Sequence, residues 1–261
     1  SAASDVYKRQ TSYIGTKNST PKKHFLKKLE ADLRSADKGR AVNLSTSSDP
    51  YPPIERETML TRRTIMLLIE NSVKILITTK SDILLRDIDL LSKSSSAVML
   101  TITTLSDELS KIIEPGAPPA SARLRALKML ADHGIPIGVR VDPIIPFVND
   151  DREDLGRLVE EVVSLGASHI VCSTFKARWD SLRRIERNLG GIGRRIVELY
   201  RLTGVKMGGY IYLPEDFRRS ILEPVCSKAR ELGVTYAVCR EGLFHEKYFN
   251  SPSCDGQHLI R

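Results

Sequence analysis

The chain has 261 residues, 41% of them hydrophobic, and 40 basic against 32 acidic side chains give a net charge of +8. That length suits one large domain or two small ones, and no apolar run approaches the ~18 residues a spanning helix needs, which excludes a helical membrane protein. Four cysteines, Cys172, Cys226, Cys239 and Cys254, stand far apart with no C-x-x-C pair, arguing against a disulfide scaffold or a zinc ribbon.

Residues 1–10, SAASDVYKRQ, carry no period of two or 3.6. They read either as a frayed terminus or as the in-frame translation of a sequencing adapter, and on the second reading native sequence starts at Thr11. From residue 20, Phe25, Leu26, Leu29 and Leu33 have helical spacing, in a stretch that ends near Gly39. A short apolar run at 41–44 follows, closing in a hydroxyl-rich turn at Asp49-Pro50. Then come a helix at 61–71, a β-branched strand at 73–79, a helix at 83–91 and a strand at 98–103. A Pro-rich loop around Glu114 leads to a helix at 120–133 ended by Gly134. A strand at 135–141, a helix at 153–165 ended by Gly166 and a strand at 168–172 complete the series.

Repeated strand-then-helix units predict a parallel α/β architecture with right-handed crossovers. No G-x-G-x-x-G follows the first strand, so a doubly wound dinucleotide fold lacks its fingerprint. Each strand instead ends in polar residues, and in a barrel those ends converge on one mouth. The expectation is a partial parallel (β/α) TIM-like barrel over residues 11–175, followed by a C-terminal α/β extension over 176–261. The extension is basic: residues 176–219 hold eleven Lys or Arg against five acids, +6 of the whole charge. Helices at 192–202 and 217–232 and a strand at 235–239 are predicted within it.

Among the mouth residues, Asp49 suits an ammonium group or a ribose, or it caps the turn before Pro50. Lys80, at a strand end, requires an anionic partner, either a ligand or a neighbouring carboxylate such as Asp82 or Asp87. Arg123, in the first turn of its helix, either forks onto a carboxylate or lies on a solvated face. The histidines are scattered singly, and no nucleophile elbow, P-loop or zincin motif occurs. A mouth built for binding, without an acid–base pair, points to chemistry supplied by a cofactor.

The runs Ser45-Thr46-Ser47-Ser48-Asp49-Pro50-Tyr51-Pro52-Pro53, Thr78-Thr79-Lys80-Ser81, Thr101-Ile102-Thr103-Thr104, Glu114-Pro115 and Pro143-Ile144-Ile145-Pro146, with Asn149-Asp150, together resemble the radical S-adenosylmethionine superfamily. Within it they resemble the DNA repair photolyase-like branch related to spore photoproduct lyase. The resemblance implies an enzyme, lyase-like in type, that uses a 4Fe–4S cluster to cleave S-adenosylmethionine reductively to a 5′-deoxyadenosyl radical. It implies further that Ser48 and Asp49 hold the methionine amino group and that Lys80 and Thr101 or Thr103 contact the carboxylate and ribose. Arg123 is a further carboxylate candidate, and residues 139–141, with Arg140 among them, pass the adenosine. The family's C-x-x-x-C-x-x-C is absent here. Thr11-Ser12-Tyr13-Ile14 resembles the stretch just after it, so its cysteines are expected upstream of Thr11. This chain alone is then expected to bind no cluster and to be inactive.

The family resemblance also implies an electron donor such as ferredoxin or flavodoxin and a cytoplasmic setting. One departure bears on substrate: spore photoproduct lyase carries a hydrogen-donor cysteine just before the Ser-Asp pair, where this chain has Thr46-Ser47. Nucleic acid is a candidate substrate, gripped by the Arg-rich segment. The competing readings are a nucleic-acid-binding protein without radical chemistry and a cluster-free TIM-barrel enzyme.

Overall fold

A computed structural model describes residues 24–45 and 48–261, with the backbone alone of 7–8 and 20–21. The adapter-like segment, apart from a backbone pairing of Tyr7–Lys8 with Thr20–Pro21, lies outside the described residues, and so do residues 11–14, 46 and 47.

Six parallel strands form one sheet: β1 (Val42–Leu44), β2 (Ile75–Thr79), β3 (Ser96–Thr101), β4 (Ile137–Ile144), β5 (His169–Thr174) and, late in the chain, β8 (Thr235–Val238). Spatial order follows chain order from one edge to the other. A doubly wound sheet reverses direction at a switch point. Without a reversal, right-handed crossovers put every helix on one face, and the twisted sheet curls its other face inward. This is the partial barrel expected from the sequence. Both faces are buried, which is why the strands read as continuous apolar runs. Leu44, Ile75, Ile77, Val98, Leu100, Val139 and Ile170 belong to the large core. Leu76, Ala97, Met99 and Val171, at alternate positions, form a second, concave cluster.

The helices sit close to their sequence expectations. Helix α1 spans Phe25–Leu33, α2 Leu60–Glu70, α3 Ala120–Asp132 and α4 Arg152–Ser164. Asp151 caps α4 by accepting from the Glu153 and Asp154 amides, both at 3.0 Å. Gly134 and Gly166 follow α3 and α4 at φ 71° and 112°, a left-handed conformation natural to glycine.

Several elements differ, among them helices at Glu55–Thr58 and Asp107–Ile113 where only loop was expected. Residues 82–91 form a 3₁₀ turn, Asp82–Asp87, before a short helix, Ile88–Leu91, because the buried Asp87 carboxylate is held by Tyr51, Arg62 and Arg86. Where a helix was expected at 192–202, α5 runs over Trp179–Thr203 across a kink at Gly190 (φ 54°, ψ −119°) that interrupts the helical period. The extension also holds a hairpin not anticipated from sequence, β6 (Val205–Met207) with β7 (Tyr210–Tyr212). Its Gly208-Gly209 turn, with φ 54° and 82°, is of the type that two-residue hairpins favour. Helix α6 (Glu215–Glu231) then leads to β8.

Candidate functional site

The C-terminal strand ends form a polar mouth. Asp49, beyond β1, accepts from Thr79 Oγ1 at 2.7 Å and from the backbone amides of Tyr51 and Lys80 at 2.9 and 2.8 Å. One carboxylate therefore ties the Asp-Pro-Tyr-Pro-Pro exit to the end of β2, and Ser48 stands beside it. A buried network behind fixes the same loop. Tyr51 Oη donates to Asp87 at 3.0 Å, Arg62 pairs with Asp87 at 2.9 Å, and Arg86 pairs with the fully buried Glu55 at 2.7 Å.

Glu114 gathers the next group. Lys80 Nζ lies 3.0 Å from Glu114 Oε1, and Arg123 Nη1 pairs with Glu114 Oε2. Arg123 also donates to the carbonyls of Pro118 at 2.8 Å and Thr101 at 3.1 Å, while Thr103 Oγ1 donates to Glu114 at 3.4 Å. Lys80, Thr103 and Arg123 thus meet around one carboxylate supplied by the Pro-rich loop, and Thr101 joins them through its carbonyl, which accepts from Arg123. Arg123 is 1% exposed, and its Nη2 has no partner among the described residues. Burial pushes the Glu114 carboxyl up, but Lys80 and Arg123 outweigh it and hold the group below the usual carboxylate range.

Arg140 stands apart, on the concave face. It donates to Asp142 at 2.6 Å, and Asp142 accepts in turn from Ser173 Oγ. Burial again raises the Asp142 carboxyl, while Arg140 and Lys176 together bring it below the ordinary range. Next to this pair Glu241, whose side chain is fully buried, accepts from the Thr174 amide at 2.8 Å and pairs with Arg218 at 3.0 Å and Lys176 at 3.1 Å. Glu241 carries no sequence signal beyond one acid in the loop after β8.

The rim lies in the basic extension. Ala177, just past β5, and Ile211 of the hairpin exchange backbone hydrogen bonds of 2.9 and 2.8 Å, seating the hairpin beside the mouth. A cleft of about 640 Å³ between the hairpin and the start of α5 is lined by Arg178, Trp179, Lys206 and Tyr210. Arg178 and Arg240 each stand 5.4 Å from the Tyr210 ring centre. Phe147, in the left-handed region at φ 63°, projects from the loop after β4 with the Arg195 guanidinium 4.6 Å from its ring centre. The Gly-Gly turn between alternating apolar residues was the available sequence sign of this hairpin.

Among the described residues, no three His, Cys, Asp or Glu side chains are arranged to hold a metal ion. Cys172 and Cys226 bring their sulfurs to 3.9 Å, and no third cysteine joins them within hydrogen-bond distance. The thiols present therefore do not fit a 4Fe–4S cluster, which takes three or four cysteine ligands. S-adenosylmethionine fits better, since the mouth offers a carboxylate, hydroxyls and a buried guanidinium nitrogen without a partner.

Residues 10–162 match a protein-family model, that of the Radical SAM superfamily. An uncharacterised protein of Acidianus two-tailed virus is 31% identical over 186 residues, 64% of this chain and 61% of that protein. One of Methanocaldococcus jannaschii is 43% identical over 116 residues, 44% of each chain, and one of Mycobacterium bovis is 26% identical over 203 residues, 74% of this chain and 58% of that one. The chain thus spans from 44% to 61% of the length of these relatives. Among solved structures, a spore photoproduct lyase variant with bound AdoMet and dinucleoside spore photoproduct superposes with a TM-score of 0.65 at 16% identity, covering 86% of this chain and 67% of that one. Streptococcus suis SuiB bound to S-adenosylmethionine gives 0.54 at 14% identity, over 86% and 46% of the two chains. At these identities the likeness is one of fold.

Proposed function

The chain belongs to the radical SAM superfamily, and from that premise we propose that its mouth binds S-adenosylmethionine for radical chemistry on a substrate held at the basic rim. The observation that carries the reading is the meeting of Asp49, Lys80, Thr101, Thr103 and Arg123 at the strand ends of a fold whose solved neighbours bind that cofactor. In this reading Ser48 and Asp49 face the methionine ammonium, the Lys80 and Arg123 side steers its carboxylate, and Arg140 lies along the adenosine. With a reduced 4Fe–4S cluster, the bound cofactor supplies a 5′-deoxyadenosyl radical. No thiols of this chain fit that cluster, so its ligands and a reductant such as ferredoxin or flavodoxin are assigned outside the chain. The chain by itself is expected to bind the cofactor without cleaving it.

Isothermal titration calorimetry tests the binding. Removing one charge-assisted hydrogen bond from Asp49→Ala or Lys80→Ala is expected to weaken S-adenosylmethionine about 10- to 100-fold. Circular dichroism of each variant separates lost contacts from a collapsed loop. Folded variants that bind as tightly as the wild type would remove this reading in favour of a cluster-free barrel.

The rim supports nucleic acid as substrate class. Trp179, Tyr210 and Phe147 offer stacking faces, with Arg178, Arg195 and Arg240 set against two of them. Arg183, Arg187, Arg194 and Arg195 are exposed along α5, while Arg184 pairs with Asp180 at 3.0 Å. Exchanging these five arginines for Gln is expected to flatten the salt dependence of single-strand binding by a slope of up to about 3.5, at ~0.7 per phosphate contact. An unchanged slope and affinity would exclude nucleic acid from this surface.

A further inference from the structure

The loop after β4 breaks a local rule at one residue. Phe147 has φ 63°, a conformation that strains a residue with a Cβ and costs glycine nothing. Packing does not compensate, since the side chain is 39% exposed and joins neither core cluster. The backbone imposes the conformation. The Ile145 carbonyl accepts from the amides of Val148 at 3.1 Å and Asn149 at 3.3 Å, closing a tight turn that presents Phe147. Asn149, 6% exposed, accepts from the Ile145 amide at 2.7 Å and donates to the carbonyls of Thr103 at 2.9 Å and Pro143 at 3.3 Å. Thr103 is one of the mouth residues, so the turn is fixed to the strand ends where the cofactor is proposed to bind. The exposed Arg195 of α5 lies over the Phe147 ring, 4.6 Å from its centre. Trp179 and Tyr210, which line the cleft beside the hairpin, have no positive φ.

We propose that Phe147 is the platform on which an unpaired nucleobase of the substrate stacks at the mouth, with Arg195 backing the ring. This inference rests on the reading of nucleic acid as substrate and assigns within it the residue that holds a base next to the cofactor. A residue that violates its local backbone preference without a gain in packing is expected where function requires it. A glycine would make the same turn, so the ring is what the strained position supplies. Held by a turn that is hydrogen-bonded at both ends, the ring loses little freedom when a base settles on it. The base must be unpaired and unstacked, because within a duplex its faces are covered by its neighbours. Arg195 adds a cation–π contact, and its charge remains open to an adjacent phosphate.

Two single-stranded probes of equal phosphate number test this by fluorescence anisotropy, one of thymidines and one of abasic sites. The wild type should bind the thymidine probe more tightly. Phe147→Gly should weaken that probe about 5- to 100-fold, leave the abasic probe within about twofold, and keep the salt slope, because the phosphate contacts remain. Phe147→Trp should retain the preference for bases. The Tm of Phe147→Gly should equal or exceed that of the wild type, since glycine adopts this φ without strain. A wild type that binds neither probe removes the nucleic-acid reading and this inference with it. A wild type that binds both probes equally overturns the platform alone, and so does a Phe147→Gly protein that keeps the preference or loses Tm and both probes together.

Discussion

Replacing Glu114 by Ala is expected to lower the unfolding free energy by about 3–5 kcal/mol, the usual cost of breaking a buried ion pair from one side. Arg123 is 1% exposed and would keep two carbonyl contacts but lose the carboxylate it pairs with, and Lys80 would lose the partner 3.0 Å away. For a chain of this length that corresponds to a fall of roughly 10 °C in Tm, read by thermal unfolding. The sign of the pH dependence follows from the depressed carboxyl. A group whose folded pKa lies below its unfolded value, about 4.3 for Glu, stabilises the fold above that pH and ceases to as pH falls through the folded value. The gap between wild type and Glu114→Gln should therefore be full at pH 7 and narrow below about pH 4. A gap that stayed constant to pH 3 would mean that charge is not what Glu114 contributes.

Glu241→Ala should be of similar size, about 3–5 kcal/mol, for a different structural reason. This side chain binds the Thr174 amide at the end of β5, Arg218 in the first turn of α6 and Lys176 in the loop between β5 and α5. Arg218 is 5% exposed and also donates to the Leu213 and Glu241 carbonyls, so it cannot swing out to water without breaking both. Removing the carboxylate leaves a buried guanidinium and a nearby ammonium uncompensated. The hairpin and rim should loosen together, visible as faster hydrogen exchange in residues 205–212. A Tm within about 2 °C of wild type, less than one kcal/mol at this size, would show that solvent replaces Glu241 freely.

The sequence by itself determined the alternation of strands and helices, their parallel winding, the helix ends at Gly134 and Gly166 and the polar character of the strand ends. These are local properties: a period of two or 3.6 and a glycine stop are written within a dozen residues. The quoted runs also sufficed to point to the family. Only the tertiary structure decided which charges meet. Lys80 stands near Asp82 and Asp87 in sequence, yet its partner is Glu114, because the Pro-rich loop after β3 folds over the end of β2. Arg123, open in sequence to a solvated face, is buried on that same carboxylate. Glu241 and Lys176 lie 65 positions apart and meet because β8 pairs beside β5, with Val238 opposite Cys172. Cys172 and Cys226, 54 positions apart and isolated along the chain, come within 3.9 Å of each other as α6 packs behind β5. Contacts at such separations depend on strand order and register, which arise from the whole sheet burying both of its faces and leave no periodic mark on the residues that meet.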